Sequence, residues 1–417
     1  MAQSLANGDG SASGYANSRL PAWLQLGGEE RMRLEDLNGV GFLPAANTYI
    51  LHRLRFNIDV TPRPWLKFVF QAQDSRVFFT NVAPAPASQK DPLDLRLGYL
   101  QIGDSESGLV SLRAGRQGLT FGEGRLLADP NWSNVGRTFD GLRATFRYRK
   151  LRVDVFSGAS DKVCIDGFDT TVPAEHFHGI HGLLDKAIRN ATVESYLFWK
   201  LEHGVKGELV RSGNLDLKTA GLRWVGKLPF GFDYGLELAI QQGRQANERA
   251  SASAGHWVLG RTTKVWRYWP RIFVEWNHAS GDGNPHDGVH EAFDPLFASS
   301  HDKFGAADQF TWSNILHLRS GIQSRVREGL MLGTAYNSFW LANRSDGIYS
   351  GGRMILGPSG SGESHISQEL DLLAQWNAGR HTLVDLVLGR VLPGGFLRGM
   401  GRSSVYNSLA LGVTQRF

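Results

Sequence analysis

One cysteine, Cys164, occurs in 417 residues, which excludes a disulfide framework and a cysteine-ligated zinc site. It lies in a polar stretch, SDKVCIDGFD, that reads as a loop and not as the setting of a nucleophile. No run of about 18 apolar residues is present, so no transmembrane helix is readable. The start, MAQSLANGDG, lacks a charged and apolar leader, and an exported chain would be numbered from its mature start. Phosphate-binding and dinucleotide fingerprints are missing, and no hydrolase nucleophile motif sets the scene for a membrane lipase. SGDGNPHDG carries Asp282 and Asp287 without the spacing of an EF-hand loop, so a turn is the default and calcium the lesser option. EHFHGIH holds His176, His178 and His181 in what reads as a loop without a carboxylate partner. No cofactor, metal ligand or catalytic residue is therefore expected.

What the chain does have is arginine, glycine and a period. Arginines number 34 against 11 lysines, glycines number 50, and the formal charge is +5. The basic residues are not gathered into patches, which argues against nucleic acid. They alternate instead. Leu24, Leu26, Met32 and Leu34 oppose Gln25, Glu29, Arg31 and Arg33; Ile50, Leu54, Phe56 and Ile58 oppose Arg53, Arg55, Asn57 and Asp59. Leu142, Ala144 and Phe146 oppose Arg143, Thr145 and Arg147, and Leu316, Leu318 and Ile322 oppose His317, Arg319, Gln323 and Arg325. A period of two is the signature of a strand. These runs reach about ten residues, the length a tilted membrane strand needs.

The connections alternate as well. Short turns at 61–64, 149–150, 202–204, 227–231, 327–329 and 377–380 are interleaved with long polar links at about 77–93, 118–139, 158–191, 280–311, 343–364 and 391–403. That sorting predicts an all-β, up-and-down antiparallel membrane β-barrel of about 18 strands, with short periplasmic turns and long extracellular loops. Residues 1–20 read as a flexible N-terminal segment and 21–417 as a single barrel domain, monomeric and in contact with outer-membrane lipid. Trp65, Trp266, Tyr268, Trp269, Phe339 and Trp340 fall near strand ends and suit interfacial girdles. The final residues, SVYNSLALGVTQRF, alternate up to a terminal Phe417. A closed barrel pairs its last strand with its first, so this end has no loose tail.

The inward parity is rich in charge: the arginines above with Arg152 and Arg223, accompanied by Glu29, Asp59, Asp154, Glu194, Glu237, Glu369 and Asp371. Such groups need water or partners. Two readings stay open: an arginine–acid ladder that braces the wall, and an arginine-lined conduit that selects anions through two-pronged carboxylate recognition.

Several stretches, in order, resemble the alginate export family of outer-membrane barrels: LRAGRQGLTFGEGRLL (112–127), GRTFDGLR (136–143), ASGDGNP (279–285), FDPLFASSHDKFGAADQF (293–310), AYNSFWLA (335–342), ISQELDLLAQW (366–376) and VLPGGFL (391–397). The resemblance implies an 18-stranded barrel in the bacterial outer membrane that passes an anionic polysaccharide, an alginate-like polyuronate, outward through an arginine-rich constriction. It also implies a C-terminal Phe417 read by the barrel assembly machinery, and it leaves room for periplasmic export partners. Matching positions are Arg116, Arg125, Arg137 and Arg143, with Glu369 and Asp371. Arg53, Arg55 and Arg319 join them as expected pore-lining residues by parity. Arg113 and Gln117 lie on the opposite parity from Arg116, which asks for a bulge or a strand end there. The competing reading is a general or small-anion porin working inward.

Overall fold

A computed structural model describes residues 12–188, 190–207, 212–246, 248–264, 268–350 and 352–417. The alternating runs form strands β1 (Leu24–Asn38), β2 (Ala46–Arg63), β3 (Leu66–Phe78), β4 (Asp91–Ile102), β5 (Val110–Gln117), β6 (Phe139–Tyr148) and β7 (Leu151–Lys162). They continue as β8 (Thr170–Ile188), β9 (Ala191–Val205), β10 (Gly213–Lys227), β11 (Phe232–Gln245), β12 (Glu248–Thr262) and β13 (Arg271–Ala279). A two-residue strand, β14 (Val289–His290), lies beside β12. Then come β15 (Ile315–Arg327), β16 (Leu330–Trp340), a loop hairpin of β17 (Ile348–Ser350) and β18 (Arg353–Leu356), β19 (His365–Asn377), β20 (Thr382–Pro393) and β21 (Tyr406–Arg416). Setting aside β14, β17 and β18, this is a closed antiparallel barrel of 18 strands.

Closure is made by β21 against β1, in register from Glu29 opposite Arg416 to Asn38 opposite Asn407. Phe417 extends the ladder. Its N–H donates to the Gly28 carbonyl at 3.0 Å and its carbonyl accepts from the Gly28 N–H at 2.8 Å. Gly28 carries no side chain for a reason: a Cβ there would meet the Phe417 ring at 2.5 Å. The terminal aromatic thus lies flat on the outer wall, on the parity of Met32 and Val413.

The outward parity is largely apolar, with Leu142, Leu238, Ile272, Leu370 and Leu411 exposed. The cost of that exposure in water is removed by lipid, which is what a barrel wall requires. Aromatics ring the short-turn end, where Trp23, Trp65, Tyr148, Phe230, Trp269 and Trp376 are exposed. Of the expected girdle residues, Trp266 lies outside the described residues. Phe339 is not in a girdle: it is fully buried inside the barrel, stacked on His317 with ring centroids 4.4 Å apart. At the periplasmic mouth a short helix, α1 (Ala12–Asn17), is tied to the start of β1 by paired Asn17–Leu26 hydrogen bonds of 2.8 Å.

Two connections differ from expectation. The link at 158–191 is mostly strand, because β7 runs to Lys162 and β8 begins at Thr170, leaving only 163–169 as loop. Its polar and histidine content hid the pairing with β7 and β9. His176 and His178 therefore stand on the lipid parity of β8 while His181 turns inward to Glu194 at 2.9 Å, and the three histidines do not converge. The residues at 202–204 belong to β9, whose partner β10 begins at Gly213 on the long-loop side. The turn at 103–109 and the β8–β9 and β12–β13 connections were not anticipated.

Two outcomes check the wall. Leu238→Arg, on the lipid face, should cost roughly 2–4 kcal/mol, whereas Gln323→Arg, on the water side, should cost well under half of that in denaturant unfolding from lipid vesicles. Deleting Phe417 should reduce the folded, heat-modifiable barrel recovered from outer membranes more than it reduces refolding in detergent.

Candidate functional site

The barrel interior is crossed by two long connections. The segment 118–138 leaves β5 at the loop end, enters the lumen and spans it. Glycines 122 and 124, at φ +56° and +73°, make the turn at its far side. Phe121 stacks on His181, with ring centroids 4.4 Å apart, and on Phe156 and Phe198. Arg125 is buried against the opposite wall, donating to Glu275 at 2.9 Å and to Asn277 at 3.3 Å. Asn131–Val135 then lie on the wall of β1–β3. Here a strap of backbone has no sheet to satisfy its carbonyls, and arginine supplies the donors. Arg31 donates to the carbonyls of Asn131 (2.7 Å) and Ser133 (3.0 Å), Arg33 to that of Trp132 (2.7 Å), and Arg53 to those of Asn131 (3.1 Å) and Ser133 (3.0 Å). Arg55 holds the Asn131 side chain at 3.0 Å, and Gln73 and Ser75 take the carbonyls of Val135 and Asn134. Glu29, 2.6 Å from Arg53, and Glu35, 2.5 Å from Arg33, offset part of the charge of the group.

The second connection, 280–314, packs on the first. Leu127 and Phe297 form an isolated parallel bridge, and Arg137 donates to the Phe297 carbonyl at 2.6 Å. Its far end is held by β19. Glu369 accepts the Ala307 N–H at 2.9 Å and Asp371 accepts the Ala306 N–H at 3.2 Å. Arg319 donates to the Asp302 carbonyl at 2.7 Å. The inward faces of β6–β9 are closed by aromatic packing of Phe121, Phe139, Phe156, Phe177, Phe198 and Phe297. Parity reasoning had filled this lumen with polar groups. The phenylalanines sit on the inward parity, and nothing short of the packed loop marks them as core.

The expected pore-lining residues thus divide. Arg53, Arg55, Arg319, Glu369 and Asp371 face inward from the wall and grip the inserted connections, whereas Arg125 and Arg137 belong to the first connection, Arg125 fastening it to β13 and Arg137 to the second connection. Arg143 faces inward onto Asp154 at 2.9 Å, with Phe121 beneath its guanidinium at 5.2 Å. Arg116 requires a correction. It pairs with Gly98 and Asp140, on the parity of Ala114 and Leu142, and so does not line the lumen. Arg113 takes the inner side, donating to Gln101 at 2.8 Å. Gly115, at φ +120°, lies between them.

What remains open lies along β19–β21 and β1. A cavity of about 450 Å³ on the loop side is lined by Tyr49, Ser300, Asp308, Gln309 and Tyr406. A cavity of about 370 Å³ on the periplasmic side is lined by Glu29, Arg31, Asp302, Gln323, Asp385 and Arg416. Arg33, Trp132, His301 and Val387 border both. They form the bar between the two spaces. Trp132, from the first inserted connection, stacks on His301, from the second, with centroids 3.8 Å apart and planes 3° apart. The Arg33 guanidinium lies 3.9 Å from the other face of Trp132. His301 is in turn held by Asp308 at 2.8 Å. Trp132, His301 and Arg416 were not among the expected site residues. Trp132 and His301 lie in polar loops with no periodicity to place them.

A closed membrane barrel narrowed by inward-folded connections defines an outer-membrane channel. Solved barrels with the same fold include Pseudomonas aeruginosa OpdK, with 11% identity, TM-score 0.63 and coverage of 94% of this chain and 99% of that one. P. aeruginosa OpdQ is similar, at 13% identity, TM-score 0.61 and coverage of 94% and 98%. A structure of OpdK with vanillate matches at TM-score 0.61 and 11% identity, covering 94% and 98%. Among curated protein sequences none matches. The family model for alginate export matches residues 22–410. The chain belongs to the alginate export family and is a protein of the bacterial outer membrane.

If Arg53 clamps the strap, Arg53→Ala should destabilise the barrel by about 3 kcal/mol through the unpaired Glu29 and the orphaned carbonyls. It should also raise and destabilise the conductance in planar bilayers as 131–135 detaches. A pore-lining arginine would instead shift ion selectivity at unchanged stability.

Proposed function

We propose that this channel passes an anionic polysaccharide of polyuronate type outward by diffusion, along the open side of the lumen formed by β19–β21 and β1. The observation that carries this reading is a series of guanidiniums facing that path. Arg325 is exposed on the inward parity of β15 toward the periplasmic end. Arg416 and Arg31 line the lower cavity, and Arg33 stands at the bar. A guanidinium fork fits a sugar carboxylate with two parallel hydrogen bonds. Glu29, Asp302 and Asp385 stand beside these arginines and weaken each site, so that a chain is handed on without being trapped. Membership of the alginate export family supports the same substrate class. The channel acts without catalysis, and supply from the periplasm drives the flow.

The near balance of arginines and acids around the lower cavity also favours a second reading, uptake of small organic anions. The likeness to a barrel solved with vanillate adds to it.

Planar-bilayer recordings separate the two. For export, conductance should be anion-selective, with the preference falling as salt screens the fixed charge. Oligouronates should block more strongly than neutral oligosaccharides of equal length. Arg33→Glu combined with Arg416→Glu should abolish that difference. Trp132→Ala with His301→Ala should raise conductance severalfold by removing the bar. Equal block by acidic and neutral oligosaccharides would defeat the polyuronate reading and leave small-anion uptake.

A further inference from the structure

Away from the bar, the loop-side rim of β4–β8 gathers acids around a single base. Arg116 is ion-paired with Asp94 (3.3 Å), Asp140 (3.0 Å) and Asp161 (3.2 Å). Asp169, at the end of the 163–169 connection, and Asp91, the first residue of β4, complete the group. Three of the five carboxylates share one guanidinium, and among the described residues no ion pair reaches Asp91 or Asp169. Some of these oxygens are occupied: Asp94 accepts the Asp169 N–H at 3.1 Å, and Asp169 accepts the Cys164 N–H at 2.8 Å. Asp91 is different. It is 2% exposed, and its Oδ1 has no hydrogen-bond partner. A buried carboxylate oxygen facing other carboxylates with no donor is costly. Asp161 Oδ1, in the same group, is likewise buried without a donor.

One oxygen or more from each of Asp91, Asp94 and Asp169 lies within 4.8 Å of the others. Oxygens that bind one calcium ion at 2.3–2.6 Å sit no more than about 5 Å apart, so this spacing admits a shared cation. The other acidic loop gives the contrast. Asp346 turns its oxygens to the Asp282 N–H and the Gly347 N–H, and Asp282 turns its own to the N–H groups of Asn284 and Glu291. There the backbone supplies the positive ends, and the calcium option weighed for Asp282 loses its basis.

We propose that Asp91, Asp94 and Asp169 bind one divalent cation of the calcium class, which fastens the 163–169 connection to the rim of β4. Water completes the shell from the loop side, as suits a hard cation that takes six to eight oxygens. The ion replaces the missing positive charge beside Arg116 and pins Cys164–Asp169 over the ends of the strands.

Equilibrium dialysis of radioactive calcium against the full chain in detergent tests this. One ion per chain should bind, with a Kd on the order of 0.1–1 mM as in extracellular modules. Asp169→Asn, in the exposed connection, should weaken binding at least about tenfold, taking the loss of one charged ligand as 1.4 kcal/mol or more. Thermal unfolding of Asp91→Asn gives a readout that a purely structural acid would not. In EDTA the variant should unfold at a higher temperature than the parent, because a buried repulsion is gone. In saturating calcium it should unfold at a lower one. Absence of saturable calcium binding by the parent at millimolar concentration would overturn the proposal. So would undiminished binding by the Asp91→Asn, Asp169→Asn pair, or a lower unfolding temperature for Asp91→Asn in EDTA.

Discussion

A chain that folds back into its own barrel must find hydrogen-bond donors for backbone carbonyls that have left the sheet, and this requirement organises the interior. In the strap at 131–135 all five carbonyls accept from side chains of the wall, and an aliphatic wall would leave them without donors. The wall instead presents Arg31, Arg33, Arg53 and Arg55 from adjacent strands. Guanidinium suits the task because its donors fan out in one plane, so a single Arg53 reaches two carbonyls, an amide oxygen and Glu29. Lysine, with a compact ammonium, would serve fewer groups at fixed geometry. The excess of arginine over lysine is in this light first a structural feature. Its use in recognition is left to the few guanidiniums that still border water.

The two inserted connections divide the lumen unequally. Toward β6–β9 they complete an apolar core in which Phe121, Phe156, Phe177 and Phe198 pack as in a soluble protein, and Arg137 ties one connection to the other. Toward β19–β21 they leave space, and that space is interrupted where Trp132 meets His301. The bar is built from one residue of each connection, so its geometry depends on both anchors at once: Arg33 and the strap on one side, Asp308 and the Glu369–Asp371 acceptors on the other. Displacing either connection would open the path, which makes the buried anchors far from the bar as important to passage as the residues at it.

The outside of the wall follows a simpler rule. Lipid accepts the exposed leucines, isoleucines and valines of the outward parity, and the ladder consumes the backbone polar groups, which is why only a closed barrel serves. At the rim, where the ladder ends and water begins, charge collects. Arg116 and its carboxylates stand there, on the outward parity of Ala114, and not in the conduit.

Period two, the interleaving of short and long connections, and the terminal Phe417 were enough to read an 18-stranded membrane barrel and the inward side of most strands. Those features are local: alternation needs only the pleat, and turn length needs only the neighbouring strands. Motif order was enough for the family. The role of the charged residues was not local. Arg53 and Arg33 have the same parity, the same residue type and nearly the same neighbours in the chain, yet one is sealed beneath Asn131 and the other borders the path. Glu369 and Asp371 looked like lumen acids and turned out to receive the N–H groups of a loop more than 60 residues away. Trp132 and His301 carried no pattern at all. What the sequence by itself determined was which side of the wall most strand residues take, because that depends on a repeat of two along one chain. Only the tertiary structure decided which inward groups meet water, because that depends on where two long connections come to rest, and their position is set by hydrogen bonds between segments that the chain keeps about a hundred residues apart.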